Sequence, residues 1–282
     1  SGRVCSSAPV SIGGLSAGMP LFVGILSQQG NFLNNCNPGF SGIVENGIVG
    51  VAYASLLSDS PLRRTLIEAV AEASGVPRIF SMQCCGWNGA TAGGGALVLG
   101  GTDASLHHGA LSYVNVTDRS YYCVAMVSPA SNGGSGNSCG AGNAIIDSGT
   151  SVIQLTSDAY QELMQPVATA MGCSVADLSG YTYAASLIGS LPNLTITFAD
   201  GVSVSIPAHR YFQPQPGYGS SCYDLFVSIG DSNILGQPLM EVWNYPRSNP
   251  GLALPATSAL LASWRFQSMR WLIQCSPPPH PP

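Results

Sequence analysis

The sequence predicts a mostly β chain of the sandwich or barrel class, and three observations carry that prediction. Short apolar and β-branched runs recur, glycine and proline interrupt them throughout (34 and 20 of 282 residues), and two neighbouring runs alternate with period two. The runs are Ile43-Val44, Ile48-Val49, Ala96-Leu97-Val98-Leu99, Ala144-Ile145-Ile146, Leu194-Thr195-Ile196-Thr197-Phe198 and Val202-Ser203-Val204-Ser205-Ile206. The last two alternate as half-buried strands do, and Asp200-Gly201 between them is a hairpin turn signal.

Helices are few. Ser60 is placed to cap one, with Pro61 in its first turn and Leu62, Leu66, Ile67 and Val70 as an apolar stripe before Gly75. A second is expected from Ser157 to Met171, ending at Gly172, with Ala159, Leu163, Met164, Val167 and Met171 as its stripe and a kink at Pro166. Stripes at this spacing read as core faces rather than cofactor contacts. Residues 131–143 form a Gly-, Ser- and Asn-rich loop, and the chain ends in a polyproline-type tail, Ser276-Pro277-Pro278-Pro279-His280-Pro281-Pro282.

Charged residues make up only 8% of the chain, against roughly 25% in average soluble proteins. All nine basic residues are Arg, and the net charge is −5. A P-loop and a Schiff-base mechanism both need a lysine that this sequence lacks. The acidic balance disfavours nucleic acid as a partner. His107, His108 and His209 are too scattered for a zinc cluster, so neither a metal nor a cofactor is expected. No apolar run reaches the ~18 residues of a membrane span.

Nine cysteines occur, none in a C-x-x-C pair. The adjacent Cys84-Cys85 reads as two disulfide partners on opposite strand faces, with metal ligation as the other reading. Two sequons, Asn115-Val116-Thr117 and Asn193-Leu194-Thr195, make Asn115 and Asn193 glycosylation candidates. Sequons and cysteines together point to a secreted or vacuolar-lysosomal protein. Ser1-Gly2-Arg3 leads into no apolar h-region, which is expected of a mature or cleaved product.

The segment that carries chemistry is Asn143-Ala144-Ile145-Ile146-Asp147-Ser148-Gly149-Thr150-Ser151-Val152. An apolar strand delivers an acid to a tight turn, where hydroxyls and backbone N–H groups can hydrogen-bond a carboxylate and favour its ionised form. A lone Asp in such a turn is more often only a turn former.

Asp147-Ser148-Gly149-Thr150-Ser151 after Ile145-Ile146 resembles the second active-site signature of the pepsin-like aspartic proteases, and the resemblance extends over about residues 8–254. Asn46-Gly47-Ile48-Val49-Gly50-Val51-Ala52-Tyr53 resembles the segment bracing the first active-site loop. Gly95-Ala96-Leu97-Val98-Leu99-Gly100-Gly101-Thr102-Asp103 resembles the family's Gly-rich strand pair. His108-Gly109-Ala110-Leu111-Ser112-Tyr113-Val114 with Tyr121-Tyr122 resembles the lobe crossover, and Asn233-Ile234-Leu235-Gly236 the second brace. The resemblance implies a bilobal double β-barrel with few short helices, its first lobe incomplete in this chain. Residues 1–116 would be the C-terminal part of the first lobe, 117–254 the second lobe, and 255–282 an added tail. Within that tail, Leu260, Leu261, Trp264, Trp271, Leu272 and Ile273 make an amphipathic element expected to pack on the body or on a partner.

The resemblance also implies an aspartic endopeptidase acting on peptide or protein substrates, with Asp147 as one catalytic acid. Ser148, Gly149, Thr150 and Ser151 would support it and the substrate. Ile48, Val49, Gly50, Ile234, Leu235 and Gly236 would brace the active-site loops. The family carries two Asp-Thr/Ser-Gly motifs and this sequence has one, so the mate is expected from a light chain or N-terminal segment, tethered through Cys5 or Cys36. Cys173 with Cys222 resembles the family's second-lobe bridge, and Cys123 with Cys139 is expected to close the glycine-rich loop. Gln237-Pro238-Leu239 and Val242-Trp243-Asn244-Tyr245 depart from the family pattern. They keep open a catalytically inactive relative acting as a binding, inhibitory or extracellular structural component.

Overall fold

The computed structural model describes residues 2–25, 49–57, 64–84, 95–106, 111–130, 138–214, 221–242 and 259–262. These residues are mostly strand, as expected. A hairpin of β1 (Gly2–Ile12) and β2 (Leu15–Ile25) opens the chain, paired antiparallel with Ile12 opposite Leu15. Helix α1 (Leu66–Ser74) packs its Ala69 and Val70 against Ala17 of β2. Its N-cap is Thr65, not Ser60: the Thr65 hydroxyl accepts from the Glu68 N–H at 3.2 Å, and Glu68 Oε2 accepts from the Thr65 N–H at 2.9 Å. This reciprocal box satisfies two end donors at once, which a proline in the first turn does not do. Ser60, Pro61 and Leu62 lie outside the described residues.

Strands β3 (Phe80–Cys84) and β4 (Gly95–Leu99) form an antiparallel ribbon; β5 (Leu111–Val114) follows it. From β6 (Val116–Asp118) onward the chain builds an eight-stranded sheet. Its further strands are β7 (Cys123–Ser128), β8 (Asn143–Ile146), β9 (Ile153–Leu155), β11 (Leu194–Phe198), β12 (Ser203–Ile206), β15 (Val227–Ile229) and β16 (Ile234–Leu235). The order is β12-β11-β7-β8-β16-β9-β15, with β6 also on β7. Strands β10 (Thr182–Ala184), β13 (Phe212–Pro214) and β14 (Cys222–Leu225) make a separate small sheet centred on β14.

Among the described residues no sheet closes on itself. The largest is an open sheet that ends at β12 and β15, each with a single neighbour in the order. The Asp200-Gly201 hairpin forms as predicted, with Leu194, Ile196 and Phe198 buried and Thr195 exposed. Helix α2 (Ser157–Met171) runs through Pro166 and ends at Gly172, burying Ala159, Leu163, Met164 and Val167 beneath the sheet; Met171 is half-buried. Three one-turn helices, α3 (Ala185–Ile188), α4 (Ala208–Tyr211) and α5 (Gln237–Met240), complete the regular helices among the described residues.

One core cluster joins the early and late parts of the chain. It includes Ile67 and Phe80 as well as Tyr122, Ile146, Leu155, Met164, Phe198, Leu235 and Met240. Each such side chain stabilises the fold by about 1.5–3 kcal/mol when fully buried. Of the added tail, Ala259–Ala262 form β17, which lies parallel to β5 with Ala259 opposite Leu111. That part of the tail pairs with β5. Residues 263–282, including Trp264, Trp271, Leu272, Ile273 and the proline run, are outside the described residues.

Candidate active site

Asp147 follows directly on β8, a strand whose Ala144, Ile145 and Ile146 are all buried. Apolar side chains hold that backbone inside the molecule, and the carboxylate emerges where the strand ends. What fixes its position is a third strand. β16 inserts between β8 and β9, parallel to the first (Ile234 opposite Ile145, Leu235 opposite Ile146) and antiparallel to the second (Leu235 opposite Ile153). The turn carrying Asp147 thus leaves one strand and re-enters another, with a remote strand pinning both. The Asp147 N–H donates to Leu235 O at 3.2 Å, and the Gln237 N–H donates to Thr150 O at 2.9 Å.

Gly236 is obligatory in this packing. A Cβ there would stand 2.2 Å from Thr150 O and 2.3 Å from Val152 O, both backbone atoms. Among the predicted supports, Ile234, Leu235 and Gly236 therefore meet the Asp147 turn directly.

The carboxylate itself is half-buried and held at both oxygens. Oδ1 accepts from the Gly149 N–H at 2.9 Å, and Oδ2 accepts from the Thr150 hydroxyl at 2.6 Å. Bonds from two donors of this kind hold the carboxylate in a fixed orientation. Gly149 leaves room for the acid, since a Cβ there would lie 3.2 Å from Oδ1. Ser148 is half-buried and Ser151 exposed, and neither is bonded to the Asp147 carboxylate.

One residue with a large part in this geometry was not singled out from the sequence as a site residue. Asn233 is fully buried just before β16. Its Oδ1 accepts from the Thr156 N–H at 2.9 Å, its Nδ2 donates to Asn143 O at 3.2 Å, and its carbonyl accepts from the Ile145 N–H at 2.9 Å. One side chain thereby ties the start of β8 to the end of β9. The available signal was an amide placed directly before a short apolar strand, where a buried amide must find partners.

Tyr122 connects the site to the earlier part of the chain. Its carbonyl accepts from the Ile146 N–H at 2.9 Å, and its hydroxyl donates to Val51 O. Its ring packs against Tyr53 at 5.2 Å and Phe80 at 6.2 Å between centroids. Burial pushes the Tyr53 phenol well above its ordinary value, with the nearby Tyr122 adding to the rise. Of the expected first brace, Val49 is 55% exposed and, like Gly50, lies in no strand, while Ile48 lies outside the described residues.

The cysteines divide. Cys123 and Cys139 are joined, closing the loop that leads into β8. Cys173 and Cys222 are not joined, against expectation; both are half-buried free thiols. The pairing of β10 with β14 sets Ala184, not a cysteine, opposite Cys222, while Cys173 caps the end of α2 with its N–H on Ala168 O at 3.0 Å. The Cys5 side chain, Cys36, Cys85 and Cys275 are outside the described residues, as are His107 and His108. Among the described residues, no three His, Cys, Asp or Glu side chains are grouped to hold a metal ion, and no helix is long and apolar enough to cross a membrane.

The arrangement is an acid on a buried strand, presented by a two-sided brace and held by its own turn. The chain belongs to the eukaryotic aspartyl proteases, whose family model matches residues 4–247. Gastricsin of Homo sapiens is 28% identical over 174 residues, covering 61% of this chain and 43% of that protein. Gastricsin of Mus musculus is 27% identical over 199 residues, covering 69% and 47%. Pepsin A of Bos taurus is 27% identical over 232 residues, covering 80% and 58%. The chain spans about half the length of the curated relatives it matches.

Proposed function

We propose that this chain is the larger part of an aspartic endopeptidase, in which Asp147 is one of two carboxylates that activate a water molecule. The mate comes from polypeptide outside this sequence, a light chain or an N-terminal segment. The observation that carries the reading is the Asp147 carboxylate itself, half-buried at the end of β8 and oriented by Gly149 and Thr150. Two carboxylates at contact distance resist double ionisation and share one proton. The ionised one takes a proton from the bound water as the water attacks the peptide carbonyl. The protonated one donates to the carbonyl oxygen as charge develops there. No covalent intermediate forms. Gly149, having no side chain, leaves the approach to the acid open, while Thr150 keeps the carboxylate from rotating.

A working place on the secretory route, in an acidic compartment or outside the cell, fits the 8% charged content: few groups are left to repel one another when carboxylates protonate. The Gln237-Pro238 departure, which favoured an inactive relative, is absorbed by the fold. Gln237 and Pro238 open α5, and the Gln237 N–H still bonds Thr150 O.

The test is acid-pH cleavage of a peptide library by the natively purified protein, with intact-mass measurement and N-terminal sequencing of every chain present. Pepstatin-sensitive cleavage that Asp147→Asn abolishes, with a second polypeptide carrying an Asp-Thr/Ser-Gly motif, is the expected result. A companion segment with that aspartate replaced would establish the inactive relative instead.

A further inference from the structure

We propose that Asn193 carries an N-linked glycan whose first sugars lie in the surface groove along α2, so that the glycan is part of the folded surface and not a free appendage. The groove, about 860 Å³, runs between the outer face of α2 (Gln165, Pro166, Thr169) and the segment holding Ser190 and Pro192. A smaller hollow of about 190 Å³ shares Glu162 and Pro166 with it and is lined by Asn193 and Thr195 of the sequon themselves. The acceptor thus stands at the rim of a groove that nothing else in the described chain fills.

The local structure presents the sequon outward. Leu194 is buried at 1% exposure, so the strand alternation turns Asn193 and Thr195 to the surface. Asn193 Nδ2 makes one bond, to Ser205 Oγ at 3.0 Å, on the facing strand of the same hairpin. The groove lining suits a saccharide: the prolines offer apolar surface to the C–H faces of sugar rings, and Gln165, Thr169 and Ser190 offer hydrogen-bonding groups to hydroxyls. The Glu162 carboxylate does not compete for the sugar. Its two oxygens already accept from Ser128 Oγ at 3.0 Å and the Ala130 N–H at 2.9 Å, which fixes the groove's wall. The covalent acceptor beside the groove names its occupant.

The other sequon is built differently. Asn115 is clamped by Asp200, whose carboxylate accepts from the Asn115 N–H and from Nδ2, each at 2.8 Å. Thr117 donates to Cys123 O at 3.3 Å. A sugar on Asn115 would share its nitrogen with a carboxylate.

The proposal rests on the secretory route, and its test is separable from the protease reading because peptide cleavage is measured on the same preparation. The protein secreted from a eukaryotic host is site-mapped by mass spectrometry. It is then footprinted with hydroxyl radicals before and after treatment of the folded protein with an endoglycosidase that leaves one sugar. The expected result is occupancy at Asn193 and a severalfold rise in oxidation of Pro166 and Pro192 after trimming, with no change around Asn115. Thr195→Ala, which removes the sequon while keeping the asparagine, should show the raised oxidation without any enzyme treatment. An unmodified Asn193 in the secreted protein, or an occupied Asn193 whose trimming leaves Pro166 and Pro192 unchanged, overturns the proposal.

Discussion

Two glycines near the same strand allow the brace of Asp147 to be tested by equal perturbations with unequal consequences. A Cβ on Gly236 would stand 2.2 Å from Thr150 O, and a Cβ on Gly230 would stand 2.2 Å from Gln154 Cδ. Both are about 1.2 Å short of an ordinary 3.4 Å contact. The difference lies in what must yield. At Gly230 the obstacle is the Gln154 side chain, which can rotate away with the loss of one long bond from its Nε2 to Ser232 O at 3.3 Å. Gly230→Ala should therefore cost about 1 kcal/mol or less. At Gly236 the obstacles are the carbonyls of Thr150 and Val152, fixed in the turn that holds Asp147. Forcing them apart adds an overpacking cost of about 1–3 kcal/mol to the weakening of one or two ladder bonds at about 1 kcal/mol each. Gly236→Ala should cost roughly 3–4 kcal/mol, a large share of the roughly 5–15 kcal/mol by which domains are stable. At this chain length that corresponds to a fall of roughly 10 °C in Tm. Denaturant melts of both variants, followed by tyrosine and tryptophan fluorescence, give the comparison. Cleavage by any Gly236→Ala protein that does fold should be lost, because the Asp147 turn has moved. Equal midpoints for the two variants, or a milder Gly236→Ala, would refute the claim that β16 rigidly sets the position of Asp147.

Thr150→Val keeps the shape and removes the 2.6 Å bond to Asp147 Oδ2. A hydrogen bond to a charged group contributes about 1.5–3 kcal/mol, so kcat/KM for peptide cleavage should fall by roughly tenfold to a hundredfold and the melting midpoint by several degrees at most. Replacing Cys123 and Cys139 together by Ala opens a loop of sequence separation 16 and should cost about 3 kcal/mol in denaturant melts, more than single replacement of the free thiol Cys173 or Cys222 by Ser. Burial raises Glu241 above its usual carboxylate value of 4.5, and the Arg210 guanidinium, 3.5 Å away, opposes the rise. A raised native value means that the folded protein holds this proton more tightly than the unfolded chain. The contribution is fully present below the ordinary value and is lost as pH rises through the native one. Stability of the native protein relative to Glu241→Gln should therefore fall with rising pH from about 4.5 upward; a difference that grows in the opposite direction contradicts the assignment.

Local signals in the sequence were reliable where the element is itself local. The Asp200-Gly201 hairpin joins neighbours, and its period-two alternation maps onto burial at Leu194, Ile196, Phe198, Val204 and Ile206. Helix α2 has the predicted limits because its apolar spacing and Gly172, in the left-handed conformation, mark them independently of the rest of the fold. Helix α1 starts at the Thr65–Glu68 capping box, a reciprocal pair of bonds that the Ser60-Pro61 signal did not point to. The unjoined Cys173 and Cys222 lay beyond such reasoning, because whether two cysteines so far apart in sequence meet is decided by tertiary packing, which no residue near either encodes.

By itself the sequence determined the β class, the sparse charge, the acid followed by a serine, a glycine and two further hydroxyls at 147–151, and the family to which those residues point. These are properties of adjacent residues, and adjacent residues decide turns, strand faces and helix ends. Only the tertiary structure decided that β16, nearly ninety residues beyond β8, enters between β8 and β9, and that buried Asn233 fastens both. Strand pairing across such a distance is selected by the burial and hydrogen bonding of the whole sheet. The acid is written in the sequence; its orientation is set by partners that only folding brings beside it.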